Sequence, residues 1–364
     1  MRRIALQEIL DCIAGGAPVQ EADLSNLDLA GLDLTGAIFI DVVGERTLFR
    51  EAELGKVLFK GCRFDRADFS KARLGQASFV DCDLAGGLFD LAEATGSRWV
   101  NPRLSGARFS GAALGKAALV KGRFDGTSFS GCDLEKGSFV EGAFGETDFS
   151  MARLVKTSFI GGDLSGCRFA GTTFSNPIFV KAVLRGLDFS GMRLPMVQAS
   201  ECDLAKTCWE RASFSLGNFS RSDLSGALFD GAGGEKVLFA EANLGGISAR
   251  GARFPMSSFQ KARAAGADFT DADLGYAPFN EADLTGANFT GANLTFCDFS
   301  HARLDGALFR GAALGGANVH RAEEGSADFA GSTRTLARET DPERLEAESF
   351  IPRIFDTEEG PHAV

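Results

Sequence analysis

The residues best suited to bind a metal or to attack a substrate are eight cysteines and three histidines. The chain contains no CxxC pair and no HExxH motif. His301 and His320 have no serine or cysteine at a spacing typical of a catalytic pair. The sequence therefore predicts no catalytic residue, no metal ligand and no cofactor, and we expect a protein that is not an enzyme.

Acidic and amide side chains recur at intervals of five or ten residues and could suggest calcium ligands. Asp and Asn side chains also hydrogen-bond the backbone of a neighbouring turn, and that role suits a short repeat better. We expect it for five residues of the second half of the chain: Asp268, Asp273, Asp283, Asn288 and Asn293.

A five-residue period positions these side chains. A large apolar residue occupies most positions whose number ends in 4 or 9, and steps of five from Leu24 to Phe329 give 62 such centres in one frame. Of the 33 Phe, 24 have numbers ending in 9 and 6 have numbers ending in 4, where Leu dominates. The residue two before each centre is mostly small. This period fits neither the 3.6 of a helix nor the 2.0 of a strand.

Such a repeat must turn a corner in every unit, or its apolar side would wander around the chain. Four right-angle corners close a coil of about 20 residues, and coils stacked about 4.8 Å apart pair their backbones along the stack. Phe centres then line two opposite walls and Leu centres the other two. The recurring Gly suits the corners, because tight turns often need a positive φ.

The stretches ADLTGANFTGANLTF (282–296), ADFSKARLGQASF (67–79) and SDLSGALFDGA (222–232) resemble the pentapeptide repeat family. The resemblance covers the repeat frame from Leu24 to Phe329, which is most of the chain. It implies an all-β fold, a right-handed quadrilateral β-helix of about 15 coils, with each centre and the residue two before it inside. Four sets of units lack a large centre, and we expect bulged or thinly packed coils there: Gly44, Ala94–Gly96, Gly233–Gly234 and Ala264.

The small inward position also accounts for most of the cysteines, which we expect to pack as small apolar residues. Cys62 and Cys82 are four repeat units apart, so they should lie in adjacent coils, and a disulfide between them is the alternative. The cysteines at this position are Cys62, Cys82, Cys132, Cys167, Cys202 and Cys297.

We divide the chain into an N-terminal capping helix (residues 1–20), the repeat β-helix (21–329) and a C-terminal cap and tail (330–364). Gly15 and Gly16 end the first helix, predicted over residues 3–14. Its apolar face is predicted to cap the β-helix through four residues: Ile4, Ile9, Leu10 and Ile13.

The C-terminal part begins after Phe329, where the five-residue periodicity ends. Asp341 as N-cap and Pro342 at the first helical position predict a short helix. This helix is either a second cap or the contact of a homodimer. We expect residues 356–364 to be disordered.

Lysines and leucines form the two candidate interaction surfaces. Lysines recur at every fourth repeat unit and should line up on one wall, and leucines precede Phe centres at a position that the repeat turns outward. An ordinary solvated surface is the alternative for both sets. The candidates are Lys116, Lys136 and Lys156, with Leu48, Leu58, Leu228 and Leu238 in two pairs.

The formal charge of −11 argues against direct nucleic-acid binding. Its distribution is uneven: residues 21–97 have 8 basic and 14 acidic side chains, 98–211 have 15 and 11, and 212–329 have 9 and 14.

No apolar run is long enough to predict a membrane span. Acidic and polar residues interrupt any signal-peptide core, so we expect a cytoplasmic protein, with signal-independent export as the alternative. A side-chain-filled rod predicts no small-molecule substrate.

Three functions fit these observations. The first is a non-enzymatic interaction or scaffold protein that holds a protein partner, of unknown identity, on the rod. The second is an accessory protein of a bacterial type VI secretion system, because residues 21–37 are similar to pentapeptide segments beside spike and adaptor proteins. The third is a DNA mimic that binds gyrase, since the family includes acidic dimeric rods that protect gyrase from quinolones. The basic middle segment interrupts such an acidic surface.

Overall fold

The computed structural model describes residues 1–349, and the predicted disordered end lies outside them. Short parallel strands lie between Arg2 and Ser200, and two helices, α1 (Leu6–Ala14) and α2 (Pro342–Ser349), lie near the ends of the described chain, with a 3-10 helix at Arg334–Leu336. The strands are β1 (Arg2–Arg3), β2 (Val19–Gln20), β3 (Ala22–Asp23), β4 (Ile38–Ile40), β5 (Leu58–Lys60), β6 (Ser78–Val80), β7 (Arg98–Val100), β8 (Ala118–Val120), β9 (Ser138–Val140), β10 (Arg153–Val155), β11 (Ser158–Ile160), β12 (Thr173–Ser175), β13 (Ile178–Val180) and β14 (Gln198–Ser200).

Parallel pairing joins each coil to the next, with paired residues four repeat units apart in the sequence. Ten strands form one continuous sheet, in which Phe59 is the partner of Phe79. The other walls pair through single bridges at the same offset, apart from β1 with β3 and β10 with β12, and beyond Ser200 all walls pair through bridges, as far as Asn318 with Arg338. The ten-stranded sheet therefore shows fewer coils than the predicted 15, because the pairing of later coils is reduced to bridges. The square coil itself is confirmed.

Most corners of the coil are tight turns closed by one backbone hydrogen bond. The amide of the residue three after a centre donates to the carbonyl of that centre, as Ala287 does to Leu284 at 2.9 Å. The residue two after the centre has a positive φ, which is 65° at Gly286 and 57° at Lys116. Glycine is the least strained residue there, because it has no Cβ to clash with the backbone.

Phenylalanine ladders fill the interior, as the frame predicts. Rings in successive coils stack on one wall, with centroids 4.7 Å apart for Phe49 and Phe69. Rings from opposite walls meet edge to face, as Phe269 and Phe279 do at 6.3 Å. Both geometries are favoured by the aromatic quadrupole. The interior is thus a close-packed apolar core.

Units without a large centre are less open than we expected. A Cβ added at Gly44 would lie 2.5 Å from Cε1 of Phe64, so that ring occupies the space. Val237 occupies the space at Gly234 in the same way. The prediction of thin packing is wrong at these two units, because a neighbouring side chain from the wall fills the gap.

The N-terminal cap differs from its prediction in where the helix begins and in how deeply two of the four predicted capping residues are buried. The helix begins at Leu6 rather than residue 3, because β1 pairs with β3 instead. Ile4 and Ile9 are buried, whereas Leu10 and Ile13 are half-buried. The helix ends as predicted at Gly15, which donates to the carbonyl of Asp11.

Charged side chains lie at the C-terminal end of the rod, shortly before α2. The guanidinium of Arg334 lies 5.5 Å from the centroid of Phe329, the last ring of its ladder. Asp341 accepts hydrogen bonds from the amides of Glu343 and Arg344, so its predicted N-cap role is confirmed.

Two glycines allow the effect of a positive φ on stability to be separated from the effect of a steric clash at an added Cβ. No atom lies within 4 Å of a Cβ added at Gly286 or at Gly75, but only Gly286 has a positive φ. We expect Gly286→Ala to lower the free energy of unfolding by about 1 kcal/mol, and Gly75→Ala to leave it unchanged or raise it slightly. Urea unfolding of both variants measures this. Equal losses would contradict the corner geometry.

Candidate functional site

The corner residues form the most regular feature of the outer surface. Backbone hydrogen bonds hold each corner over the next, so their side chains form columns along the rod. Lys116, Lys136 and Lys156 lie in one such column, and all three side chains are exposed. Of these three, only Lys136 has an ion pair among residues 1–349, with Glu135 at 3.6 Å. The predicted lysine column is therefore present as an exposed basic edge.

The same column becomes apolar in the second half of the rod. Five large side chains project from it, exposed by 44, 52, 44, 60 and 50% in chain order. We call this set the apolar corner column, and the single large polar residue within its span is Lys236. The five residues are Met196, Leu216, Met256, Tyr276 and Phe296.

The aromatic end of the apolar corner column is ordered by its own contacts. The rings of Tyr276 and Phe296 stack with centroids 4.9 Å apart and planes 16° apart. The ring of Phe296 covers Gly316, where an added Cβ would lie 2.6 Å from Cε1 of the ring. At the other end, the amide of Asn176 lies 3.4 Å from the sulfur of Met196. These contacts run along the edge, so neighbouring side chains support one another.

Two costs accompany these apolar residues. Each has a positive φ, between 55° at Met196 and 62° at Tyr276, which disfavours bulky side chains. Each also leaves a large apolar side chain in water, although glycine serves at the equivalent corners of other walls. An interaction surface accounts for both costs.

One wall beside the apolar corner column carries little charge between residues 198 and 278, although Asp298 continues it and the wall on the other side carries Arg193, Arg253 and Asp273. The wall column that begins at Gln198, two residues after Met196, contains only uncharged residues over five coils. The column that begins at Asp203, beyond the next corner, contains four charged residues over five coils. The uncharged set is Gln198, Asn218, Leu238, Ser258 and Pro278, and the contrasting set is Asp203, Asp223, Asn243, Arg263 and Asp283.

The predicted leucine pairs do not form patches. Leu48 and Leu58 are only half-buried rather than fully exposed. Leu228 and Leu238 are exposed by 41% and 44%. Members of each pair are two repeat units apart, which places them across two corners on opposite walls. Only Leu238 lies beside the apolar corner column, so the paired patches are wrong.

The column at the next corner behaves as an ordinary charged surface. Lysines and glutamates alternate along it and form ion pairs between successive coils, such as Lys181 with Glu201 at 3.7 Å and Lys261 with Glu281 at 3.4 Å. Exposed pairs of this kind contribute little free energy each. They pair several of the charges along that edge.

The cysteines are buried or half-buried free thiols. All six predicted inward cysteines are buried, as expected, and Cys62 and Cys82 are unbridged. Burial raises the pKa of Cys132 and Cys297 to about 12. A thiol with so high a pKa is protonated at neutral pH and is therefore a poor nucleophile.

His320 is buried, although the repeat frame turns its position outward. It is 1% exposed beneath α2, with its Nε2 3.2 Å from a carboxylate oxygen of Glu348. His301 lies 3.4 Å from the same carboxylate. No sequence pattern indicates this contact, because it depends on where the C-terminal helix packs.

These three residues are the only group within residues 1–349 whose ligand atoms could hold a metal, all within 4.8 Å. The Nδ1 of His320 accepts the Asp341 amide at 3.1 Å, so Nε2 carries the proton and has no lone pair for a metal. Arg344 also donates to Glu348, at 2.8 Å. The group therefore fits a clamp on α2 better than a metal centre.

Square coils of four repeat units with an apolar interior define the quadrilateral β-helix class of repeat proteins. One sequence profile for pentapeptide repeats matches seven segments, some of which overlap, and a second matches residues 49–95. The chain belongs to the pentapeptide repeat family. The seven segments are 103–139, 143–176, 152–191, 200–232, 236–275, 272–311 and 287–323.

Several solved structures are similar to the chain. The plasmid-mediated fluoroquinolone resistance protein QnrB1 is 25% identical, over 43% of this chain and 84% of its own, with a TM-score of 0.31. HetL of Nostoc sp. strain PCC 7120, involved in heterocyst differentiation regulation, is 22% identical over 91% and 97%, with a TM-score of 0.24. A thylakoid-lumen protein of Arabidopsis thaliana is 31% identical over 29% and 72%, with a TM-score of 0.23. No curated protein matches significantly.

Within residues 1–349, neither α-helix is long and apolar enough to cross a bilayer.

The clamp on α2 should depend on pH. Burial raises the pKa of Glu348, but hydrogen bonds from His320, Arg321, Arg344 and His301 outweigh it and hold the pKa at about 2, below its ordinary 4.5. A depressed carboxyl pKa stabilises the docked helix above pH 4.5, and this effect is lost as the pH falls towards 2.

We expect Glu348→Gln to speed the amide hydrogen exchange of residues 342–349 at pH 7. In the wild type this exchange should become faster as the pH falls from 4.5 to 2, and the variant should lack that pH dependence. Exchange followed by mass spectrometry, corrected for intrinsic rates, measures this. Glu346→Gln is the matched control, because Glu346 is exposed on the same helix. Identical exchange in wild type and Glu348→Gln would refute the clamp.

Proposed function

We propose that this protein is a non-enzymatic interaction or scaffold protein that binds another protein along one edge of its β-helix. The apolar corner column is the observation that carries the proposal. Monomeric proteins rarely leave a continuous apolar surface uncovered, and such surfaces commonly mark binding sites. The residues lie on rigid coils, which orders the surface before a partner binds.

The chemistry of the edge suggests how a partner is recognised. Tyr276 and Phe296 supply aromatic area at the apolar end, and aromatic residues are enriched among the side chains that dominate binding energy. Lys116, Lys136 and Lys156 continue the same edge and would attract acidic side chains of the partner. Charged groups of this kind raise the association rate more than the affinity.

The two alternative functions have weaker support. A DNA mimic requires a continuous acidic surface, which the exposed lysine column interrupts between Lys116 and Lys156. The type VI accessory role rests on residues 21–37, where no exposed apolar corner of the column lies. We therefore rank both below a general interaction role.

Affinity purification from the native host tests the proposal. We expect a specific partner to bind the wild type. The amount of partner retained by Met256→Asp/Tyr276→Asp should be at least tenfold lower, because two charges replace the apolar contact. Asp tolerates a positive φ, so the fold should survive, and circular dichroism checks this. Quantitative mass spectrometry measures the retained partner.

Leu91→Asp/Met151→Asp is the matched control for that experiment. Leu91 and Met151 are exposed apolar residues with positive φ at corners of a different column. The control should retain the partner. Retention of the partner by both double variants would refute the proposed edge, and turnover of a substrate in an unbiased screen would refute the non-enzymatic role.

A further inference from the structure

We propose that the apolar corner column is a self-association surface, on which a second copy of this chain lies antiparallel with Met256 near the two-fold axis. This inference rests on the proposed interaction role and names the partner. A second copy fits because its coils repeat with the same step of about 4.8 Å. Each projecting side chain therefore meets a counterpart at every coil.

The order of residues in the column favours the antiparallel arrangement. Lys236 and Tyr276 are each one coil from Met256, so the ammonium of one copy faces the ring and hydroxyl of the other. Leu216 and Phe296 are each two coils away and face one another. An isologous contact of this kind forms both pairs twice, once on each side of the axis.

A third pair extends the match. Met196 is three coils before Met256, and Gly316 is three coils after it. Met196 would thus face the ring of Phe296, which covers the one corner of this segment that lacks a side chain. Contacts between a methionine sulfur and an aromatic ring are favourable.

Charge argues against the parallel arrangement. Parallel copies would set Lys236 against Lys236, and each of Lys116, Lys136 and Lys156 against itself. Antiparallel copies centred on Met256 leave the three other lysines beyond the end of the partner's rod. The uncharged wall column that contains Leu238 adds no repulsion beside the contact, although the chain has a formal charge of −11.

The available area suits a dimer of moderate strength. Six large apolar side chains, the column and Leu238, each expose on the order of 100 Å², which gives about 1,200 Å² over two copies. Stable protein interfaces begin at about this total. We therefore expect dissociation in the micromolar range rather than a permanent dimer.

Sedimentation equilibrium of the purified full chain tests the inference. We expect a reversible dimer, weakened at least tenfold in Met256→Asp/Tyr276→Asp and unchanged in the control Leu91→Asp/Met151→Asp. Wild type that stays monomeric at about 100 μM would overturn the inference. Equal weakening in both double variants, or in neither, would also overturn it.

Cysteine cross-linking tests the orientation independently. Met256→Cys should form a cross-linked dimer on mild oxidation, because the two positions meet at the axis. Phe296→Cys alone should not, but it should cross-link to Leu216→Cys when the two variants are mixed. Efficient cross-linking of Phe296→Cys to itself would show a different register and contradict the proposal.

These outcomes separate the two proposals. A monomeric protein that still loses a captured partner through Met256→Asp/Tyr276→Asp would overturn self-association and leave the interaction role standing. A dimer that depends on the apolar corner column but captures no other protein would support self-association while removing the evidence for a different partner.

Discussion

Backbone pairing between each residue and its counterpart one coil later determines both the interior and the outer surface of the rod. It stacks like side chains on like, so Phe269, Phe289 and Phe309 form one continuous ladder with centroids 5.1 and 5.0 Å apart. The ladder buries aromatic area without any long-range search for partners. Stability should therefore accumulate from neighbouring coils, and the two ends need separate covers.

The same pairing organises the outside of the rod. A residue type repeated once per coil becomes a column, and the corners carry the most exposed columns because their side chains project furthest from the walls. One column changes from lysines to apolar residues along its length, whereas its neighbour alternates lysine and glutamate. Surface chemistry is thus encoded one edge at a time, independently of the apolar interior.

Much of the fold could be predicted from the sequence, because the period, the walls and the caps are local patterns. The Phe walls, the helix end at Gly15 and the N-cap at Asp341 follow from such patterns. The burial of His320 does not, since it depends on the packing of a helix from further along the chain. The tight packing at Gly44 does not either, because the ring of Phe64 from the next coil fills its space.

The apolar corner column escapes prediction for a different reason, although its residues are visible in the sequence. It occupies the corner position, where glycine is common. Because the turn alone explains that position, the large residues that replace glycine there are easily overlooked. The leucines that precede Phe centres are more conspicuous, but the alternation of walls separates each pair. Comparison of corner residues one coil apart would reveal the column.

An aspartate scan of corner positions distinguishes an edge-specific surface from a uniformly solvated rod. Each corner residue from 196 to 296 is replaced in turn, and the association of every variant is measured at one concentration. We expect losses that recur once per coil, at the apolar corner column alone. Losses spread evenly over all four corners, or none at Met256 and Tyr276, would contradict the assignment of binding to this edge.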